Sequence, residues 1–403
     1  MDRSETLEDV PVDVREEYEE LLVGSVDVLP EGELLRQLMR ARSEKRPLRV
    51  KLGVDPTTPD LHLGHTVVLR KLAQFQKYGH TVVLIIGDYT GKVGDPSGRS
   101  KTRPQLSDEV LAANAQTYRE QAAKILDMDK VELTHNGDWL GPLRMDEVLR
   151  LTATVTVARM LERDDFSRRY LANEPVSMLE FMYPLLQGYD SVAVRADIEL
   201  GGTDQKFNLL MGRTIMEAYG LPPQSILTVP LLVGTDGEQK MSKSYGNYIG
   251  VCDEPEDMFG KVMSIPDSLM VTYWSLLTDA GAREVESLER GLADGSYHPA
   301  EAKRDLAQRL VGLYHSDAAA VAARAEGPEK ANLPLKKVVL FSSGVGFFEH
   351  FGQVEGNASV EMKFKAEDIN DLLKSMVVQD LDGGQVSTVT YGSKDPITKT
   401  LKS

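Results

Sequence analysis

Two short stretches carry side chains whose types and spacing suit work on a phosphate. The first, Pro59-Asp-Leu-His62-Leu-Gly64-His65, sets two imidazoles three residues apart around a glycine, where an extended run at 48–54 gives way to helical spacing. If a helix opens near Leu61, both histidines share a face at its amino end. Unpaired N–H groups and a partial positive charge collect there and suit phosphate oxygens. Neutral imidazoles can donate hydrogen bonds to the same oxygens, and Gly64 leaves room for a base or ribose against the backbone. A His-x-Gly-His by itself also reads as an ordinary capped helix start.

The second stretch is Gly237-Glu-Gln-Lys240-Met241-Ser242-Lys243-Ser244, a glycine-flanked loop with two ammonium groups three residues apart and hydroxyls beside them. Such a loop can wrap a polyphosphate, the lysines acting as mobile point charges. A third basic cluster, Arg99-Ser-Lys101-Thr-Arg103, reads by itself as a solvated face.

Placing these loops together requires a scaffold. From 48 to about 250, β-branched runs at 48–54 and 81–86 alternate with helical stretches at 65–77 and 112–126. That alternation predicts an α/β domain with a parallel sheet covered on both faces, whose ligands sit beyond the carboxyl ends of the strands. Residues 1–45 read as a helical lead-in, with helical spacing at 14–22 and 30–40. Residues 251–328 read as an all-helical region. From 331 to 403 the texture becomes a small α+β unit: strands at 336–341, 359–365 and 385–391, a helix at 366–375, and a hairpin turn at Asp382-Gly-Gly384.

A net charge of −16 argues against indiscriminate coating of nucleic acid, which needs positive surface. The single cysteine, Cys252, allows no internal disulfide, and the seven histidines show no ligand-like spacing with it, so no metal ligand is assigned. The absence of a long apolar run or a targeting pattern predicts a cytoplasmic protein away from membranes.

HLGH after the first strand combined with KMSKS after the last is the signature of class I aminoacyl-tRNA synthetases, and four further stretches make the likeness narrower. Residues 51–65, Gly94-Asp-Pro-Ser-Gly-Arg-Ser-Lys-Thr-Arg-Pro104, Tyr183-Pro-Leu-Leu-Gln-Gly-Tyr-Asp190 and Gly201-Gly-Thr-Asp-Gln-Lys-Phe-Asn208 resemble bacterial tyrosyl-tRNA synthetase, in order, from about 15 to about 325. The resemblance implies a Rossmann-like catalytic domain at 46–250 and a helical, anticodon-side domain at 251–328. It implies ATP-dependent activation of L-tyrosine, transfer to tRNA(Tyr), magnesium accompanying ATP, and a homodimer.

Carried over residue by residue, the resemblance gives Thr57, His62, His65, Lys240, Lys243, Arg99 and Arg103 to phosphate chemistry. It gives Asp55, Gly64, Gly202, Asp204, Met241 and Ser242 to the nucleotide. Tyrosine falls to Asp190 for the phenolic hydroxyl, and to Asp95, Tyr183 and Gln187 for the ammonium group, with Gln205 and Lys51 lining the pocket. Tyrosyl-tRNA synthetases are themselves a standard example of rejecting phenylalanine without editing, by about 10⁵-fold, through a buried polar group left unpaired.

Plainer readings stand beside these. Tyr183 and Gln187 could form one side of a buried helix with Asp190 capping the next element, and Thr203 or Asp204 could cap a helix after a strand. Lys51 stands where many relatives carry a tyrosine that holds the substrate hydroxyl. It either enters the pocket, paired with Asp190 or Asp88, or points away from it. The segment 331–403 resembles no tRNA-binding module and stands where the family carries one, so weakened tRNA charging is expected. A non-catalytic RNA- or partner-binding protein on the same fold is the rival reading, and the complete HLGH and KMSKS motifs count against it.

Overall fold

The structure, a computed structural model, describes residues 10–95, 107–326, 329–331, 335–340, 346–352, 358–360 and 377–378. At its centre are strands β1 (Asp27–Leu29), β2 (Arg49–Val54), β3 (Thr81–Ile86), β4 (Val131–His135), β5 (Ile198–Gly202) and β6 (Ser225–Val229), in the order β1-β6-β5-β2-β3-β4. All pair in parallel except β1, which runs antiparallel to β6. β3 is buried at every position after the first and β6 throughout, as expected of strands covered on both faces. β3 lies on one side of β2 and β5 on the other, so the chain changes direction between β2 and β5. The crevice beyond their carboxyl ends, at Asp55 and Gly202, is the place such a sheet offers a ligand.

The helix Leu63–Lys77 carries the chain from β2 to β3 and buries Leu63, Val67, Leu72 and Phe75 against the sheet. Its buried Lys71 donates to the carbonyls of Leu21 and Val23 at 3.0 and 2.6 Å, satisfying acceptors that the helix Val12–Leu22 leaves open at its carboxyl end. On the other face, helices Met178–Val194 and Lys206–Ala218 approach closely where two glycines meet. A Cβ on Gly188 would lie 3.2 Å from the Cα of Gly212 and 2.6 Å from Cδ1 of Ile215. Helices Pro255–Ser264, Met270–Leu277, Ala282–Asp294, Pro299–Tyr314 and Asp317–Glu326 follow the sheet. They are tied back to it by the Arg70–Asp279 ion pair and by Lys124 Nζ on the Tyr314 carbonyl at 2.6 Å.

Three local expectations are corrected. The lead-in is not wholly helical, because Asp27–Leu29 forms the edge strand β1. Three residues are too short to show alternation, and their pairing is set by contacts with Thr228, far away in sequence. The helix expected at 112–126 runs from Asp108 to Ala122, opened by Ser107, whose hydroxyl accepts from Val110 N. Asp190 does not cap an element, because it lies within Met178–Val194.

Toward the carboxyl end, Leu335–Leu340 pairs antiparallel with Gly346–His350, and Glu329–Ala331 pairs in parallel with Ala358–Val360. The helix expected at 366–375, the strand at 385–391 and the turn at 382–384 lie outside the described residues, as does most of the strand at 359–365. Among the described residues no helix is long and apolar enough to cross a membrane.

Candidate active site

The two basic loops meet in space. His62 precedes the first residue of Leu63–Lys77 in extended conformation, and the chain around it pairs with the segment after the lysine loop: Leu63 N donates to Ile249 O (2.9 Å) and Val251 N to Leu61 O (3.0 Å). Lys243 Nζ reaches Asp60, two residues before His62, at 2.8 Å. A Cβ on Gly64 would stand 3.0 Å from the His62 ring and 3.5 Å from Met241. The two imidazoles stack at 3.8 Å between centroids. The His62 N–H donates to His65 Nδ1 (3.2 Å), which leaves the His65 proton on Nε2. Burial holds both rings neutral, with nearby Lys243 adding to the effect: His62 is pulled down to about 2 and His65 to about 4.

The lysine loop takes its shape from one buried amide. Asn247 Oδ1 accepts from Ser242 N (2.8 Å), while its Nδ2 donates to Asp236 (2.7 Å) and to the carbonyls of Gln239 and Lys240 (3.3 and 3.2 Å). Gly237 turns the chain with φ near +79°. Ser242 Oγ accepts from Ser244 N at 3.2 Å, and Met241 is buried. Lys240 pairs with Asp204 at 2.9 Å, so both lysines rest on carboxylates at the ends of the crevice.

Beyond the crevice a chain of polar side chains runs inward. Tyr183 donates to Asp55 Oδ2 (2.8 Å), and Thr90 donates to Asp55 Oδ1 (2.7 Å). Asn136 donates to Thr90 Oγ1 (2.9 Å) and to Asp190 (3.3 Å), and Trp139 Nε1 donates to Asp190 (2.9 Å). Burial pushes the Asp190 carboxyl up to about 7, opposed chiefly by Lys51. Burial followed by the charge of Asp55 raises the Tyr183 hydroxyl well above its usual range. A second cluster gathers on Asp95, which accepts from Gln205 Nε2 (2.7 Å) and pairs with Arg163 (3.3 Å), with Asn208 bridging Gln205 and Arg163. The Gln187 side-chain oxygen is buried and has no partner among the described residues.

A sheet crevice that brings neutral imidazoles, two lysines and a buried acid into one cleft can be set beside known proteins. The sequence model of the family described as tRNA synthetases class I (W and Y) matches residues 43–326. Tyrosine–tRNA ligase of Moorella thermoacetica is 54% identical over 303 residues, spanning 75% of this chain and 73% of that protein. The chain belongs to the tyrosine–tRNA ligase family. The Acidithiobacillus ferrooxidans ligase is 53% identical over 332 residues, covering 80% of this chain and 81% of its own length. Among solved structures, a C-terminally truncated Aspergillus nidulans mitochondrial tyrosyl-tRNA synthetase superposes with TM-score 0.63 at 26% identity, over 79% of this chain and 94% of that one. The Archaeoglobus fulgidus tyrosyl-tRNA synthetase, crystallised with L-tyrosine, shares the fold at TM-score 0.63 and 24% identity, over 77% of this chain and all of that one.

Of the residues expected at the site, His62, Gly64, His65, Met241 and Lys243 lie where the two loops meet, and Lys240 reaches Asp204 two residues after Gly202. Tyr183 joins Asp55, Asp190 is linked to Asp55 through Asn136 and Thr90, and Gln205 joins Asp95. Thr57 follows Asp55, Ser242 follows Met241, and Gln187 lies on the helix of Tyr183 and Asp190. Arg99 and Arg103 lie outside the described residues. The partner expected for Lys51 is corrected: its carboxylate is Glu199, not Asp190 or Asp88. Glu199 sits on β5, next to β2 in space but 148 residues away in sequence, and no local pattern links the two. Neither Thr203 nor Asp204 caps a helix, since Gly202 and Gln205 hold the cap positions without side-chain bonds. Sequence reasoning missed Asp60, Asn136, Trp139, Arg163, Glu199 and Asn247. Only Asp60 and Asn247, flanking the two motifs, carried a signal that could have found them.

Proposed function

We propose that this tyrosine–tRNA ligase works by exchange of partners at the outer cleft and by fixed recognition at the inner one. The tyrosine carboxylate attacks the α-phosphorus of ATP, the bond to the bridging oxygen breaks, and pyrophosphate leaves with its electron pair. The tyrosyl group then passes to a terminal ribose hydroxyl of tRNA(Tyr), releasing AMP. No side chain forms a covalent bond, so rate comes from positioning and from stabilising charge on the departing phosphates.

In this reading, His65 donates from Nε2 and His62 from its own ring to phosphate oxygens. Thr57 adds a hydroxyl, and Lys240 and Lys243 leave Asp204 and Asp60 for the pyrophosphate. Arg99 and Arg103 join them, as the family resemblance implies. Asp55, Gly64, Gly202, Asp204, Met241 and Ser242 hold the nucleoside. Asp190 accepts the phenolic hydroxyl, Asp95, Tyr183 and Gln187 hold the ammonium group, and Gln205 braces Asp95. Magnesium would accompany ATP and offset charge on its phosphates, and no side chain is assigned to hold it. The exposed apolar side chains Met145, Leu149, Val157, Tyr170, Leu171 and Met178, spread over four successive helices, support a homodimer. Similarity to bacterial ligases supports a cytoplasmic setting.

The observation that carries the reading is the meeting of the 59–65 and 237–250 segments, with Lys243 bonded to Asp60. Exchange of labelled pyrophosphate into ATP, run with tyrosine, phenylalanine and tryptophan side by side, tests it. Exchange should depend on tyrosine, and equal or absent response to tyrosine would overturn it.

A further inference from the structure

We propose that Lys51 is a positioning residue for amino-acid selection: locked to Glu199 behind the pocket, its ammonium keeps Asp190 ionised, so that only a substrate with a phenolic hydroxyl satisfies it. The inference rests on the reading of Asp190 as the hydroxyl acceptor.

The geometry leaves Lys51 no proton to give to a substrate. Its ammonium donates to Glu199 Oε1 (2.6 Å), Ser191 Oγ (2.9 Å) and the Gln187 carbonyl (3.1 Å), which uses all three of its donors. Glu199 is satisfied as fully, accepting on its other oxygen from Ser191 Oγ (2.8 Å) and Gln224 Nε2 (2.6 Å). The two charged side chains are 0% and 1% exposed. Gly212 makes the space, since a Cβ there would stand 2.5 Å from Gln224 Nε2 and 3.0 Å from Glu199. A buried pair costs desolvation that a well-packed apolar pair of the same volume would avoid, so its presence calls for another reason.

The orientation of the pair supplies one. The ammonium end touches residues 187 and 191, one turn before Asp190 and immediately after it, and the carboxylate end lies on β5. Asp190 therefore meets the positive end of a buried dipole in a site where burial alone favours the neutral acid. The other titratable groups on the elements around Asp190 are Glu180, Tyr183 and Tyr189 on its own helix, Lys206, Arg213 and Glu217 on the helix packed against it, Asp55 after β2, Asp88 after β3, His135 at the end of β4, and Glu199 on β5, whose charge opposes that of Lys51. Glu180 is paired with Arg169, Lys206 with Asp27, and Arg213 donates to the Gln224 carbonyl. Tyr183 is spent on Asp55, and His135 on Asp88. Trp139 and Asn136 donate to Asp190 without carrying charge. Lys51 is thus the cation placed to hold the carboxylate form. An ionised Asp190 accepts a charge-assisted hydrogen bond from the tyrosine hydroxyl beside those from Trp139 and Asn136, and phenylalanine leaves the desolvated carboxylate one donor short.

The test uses the full chain with both charges removed together, Lys51→Met with Glu199→Gln, so that no buried charge is orphaned. Tyrosine-dependent pyrophosphate exchange is followed from pH 6 to 9. The pH midpoint of kcat/KM for tyrosine should rise by about one unit or more, a tenfold or greater shift in the proton equilibrium. Selectivity for tyrosine over phenylalanine should fall about fivefold or more at pH 7 and recover by pH 9, with KM for ATP within twofold of the parent. An unchanged midpoint and unchanged selectivity in the folded variant overturn the inference. Should that variant not fold, Ser191→Ala loosens the ammonium without changing charge and should move the midpoint up by a smaller amount; no movement again overturns it. Asp190→Asn is run in parallel. If it keeps selectivity, the reading of Asp190 itself fails; if it loses selectivity while the double variant matches the parent, only the role of Lys51 fails.

Discussion

The outer and inner halves of the cleft solve opposite problems with the same kinds of group. At the outer half, Lys240 and Lys243 rest on Asp204 and Asp60 in ion pairs partly open to water, where a charge can change partner at little cost. At the inner half, Lys51 and Glu199 sit dry with every donor and acceptor used, where a change of partner would strand a charge. The contrast teaches that burial decides whether a lysine serves as a moving contact or as a fixed field. On the function proposed above, phosphates arrive and leave, so their binders must be free to exchange; a hydroxyl is recognised by its absence in competitors, so its acceptor must not relax.

The largest effect expected at the outer half comes from Lys243→Ala. If Lys243 follows the pyrophosphate as charge develops, tyrosine-dependent exchange should fall about 10²- to 10³-fold, the cost typical of one electrostatic contact to a developing anion. KM for tyrosine should stay within twofold. A comparable rise in KM for tyrosine would show that the halves are not separable.

Acid should act on the same half. Burial holds His62 and His65 below their ordinary value, at about 2 and 4. Between pH 6.5 and 4 the unfolded chain therefore binds protons that the folded site refuses, so stability falls as pH drops through that window and is unaffected by these groups above it. At pH 5 the loss is about 2 kcal/mol per imidazole, about 4 kcal/mol for both if they act independently. Urea unfolding of the parent and of His65→Gln at pH 7 and pH 5 checks this: the variant should lose about half as much from this source.

The inner half should answer to packing. Gly188→Ala places a methyl against Ile215 and the backbone of Gly212, and forcing the two helices apart should cost about 1–3 kcal/mol. It should also raise KM for tyrosine more than KM for ATP, because Gln187 and Asp190 lie on the displaced helix. Equal changes in both would count against a rigid inner pocket.

How far each half was legible in the sequence follows the same division. Outer-cleft residues come in contiguous runs, 59–65 and 237–244, because a loop that wraps a phosphate brings its neighbours with it. The parallel sheet was legible too, since strands buried on both faces read as unbroken apolar runs such as Val82–Ile86 within β3. The inner pocket draws on several elements far apart in the chain: Lys51 from β2, Glu199 from β5, Tyr183, Gln187 and Asp190 from one helix, and Asn136 and Trp139 from the start of the short helix after β4. The run 183–190 on that helix was legible, but no spacing rule connects it to Lys51, Glu199, Asn136 and Trp139, whose proximity is created by strand order. The partner of Lys51 was therefore misassigned, while that of Tyr183 was not anticipated at all. β1 escaped notice for a related reason, as its three residues are strand only because Thr228 and its neighbours lie alongside.

The smallest effect tests whether exchange at the outer half is real. Asp60 is about half exposed, and its bond to Lys243 is worth at most about 1 kcal/mol by the usual standard of surface pairs. If Asp60 competes with ATP for the lysine, Asp60→Asn should lower KM for ATP by about two- to fivefold at low salt, because the ground-state contact to be broken is gone. kcat should stay near the parent value, since Lys243 reaches the same final partner. The advantage should shrink as salt is added and screens the parent's ion pair. A rise in KM for ATP would mean instead that Asp60 aims Lys243 toward the phosphates, making the pair a guide rather than a competitor.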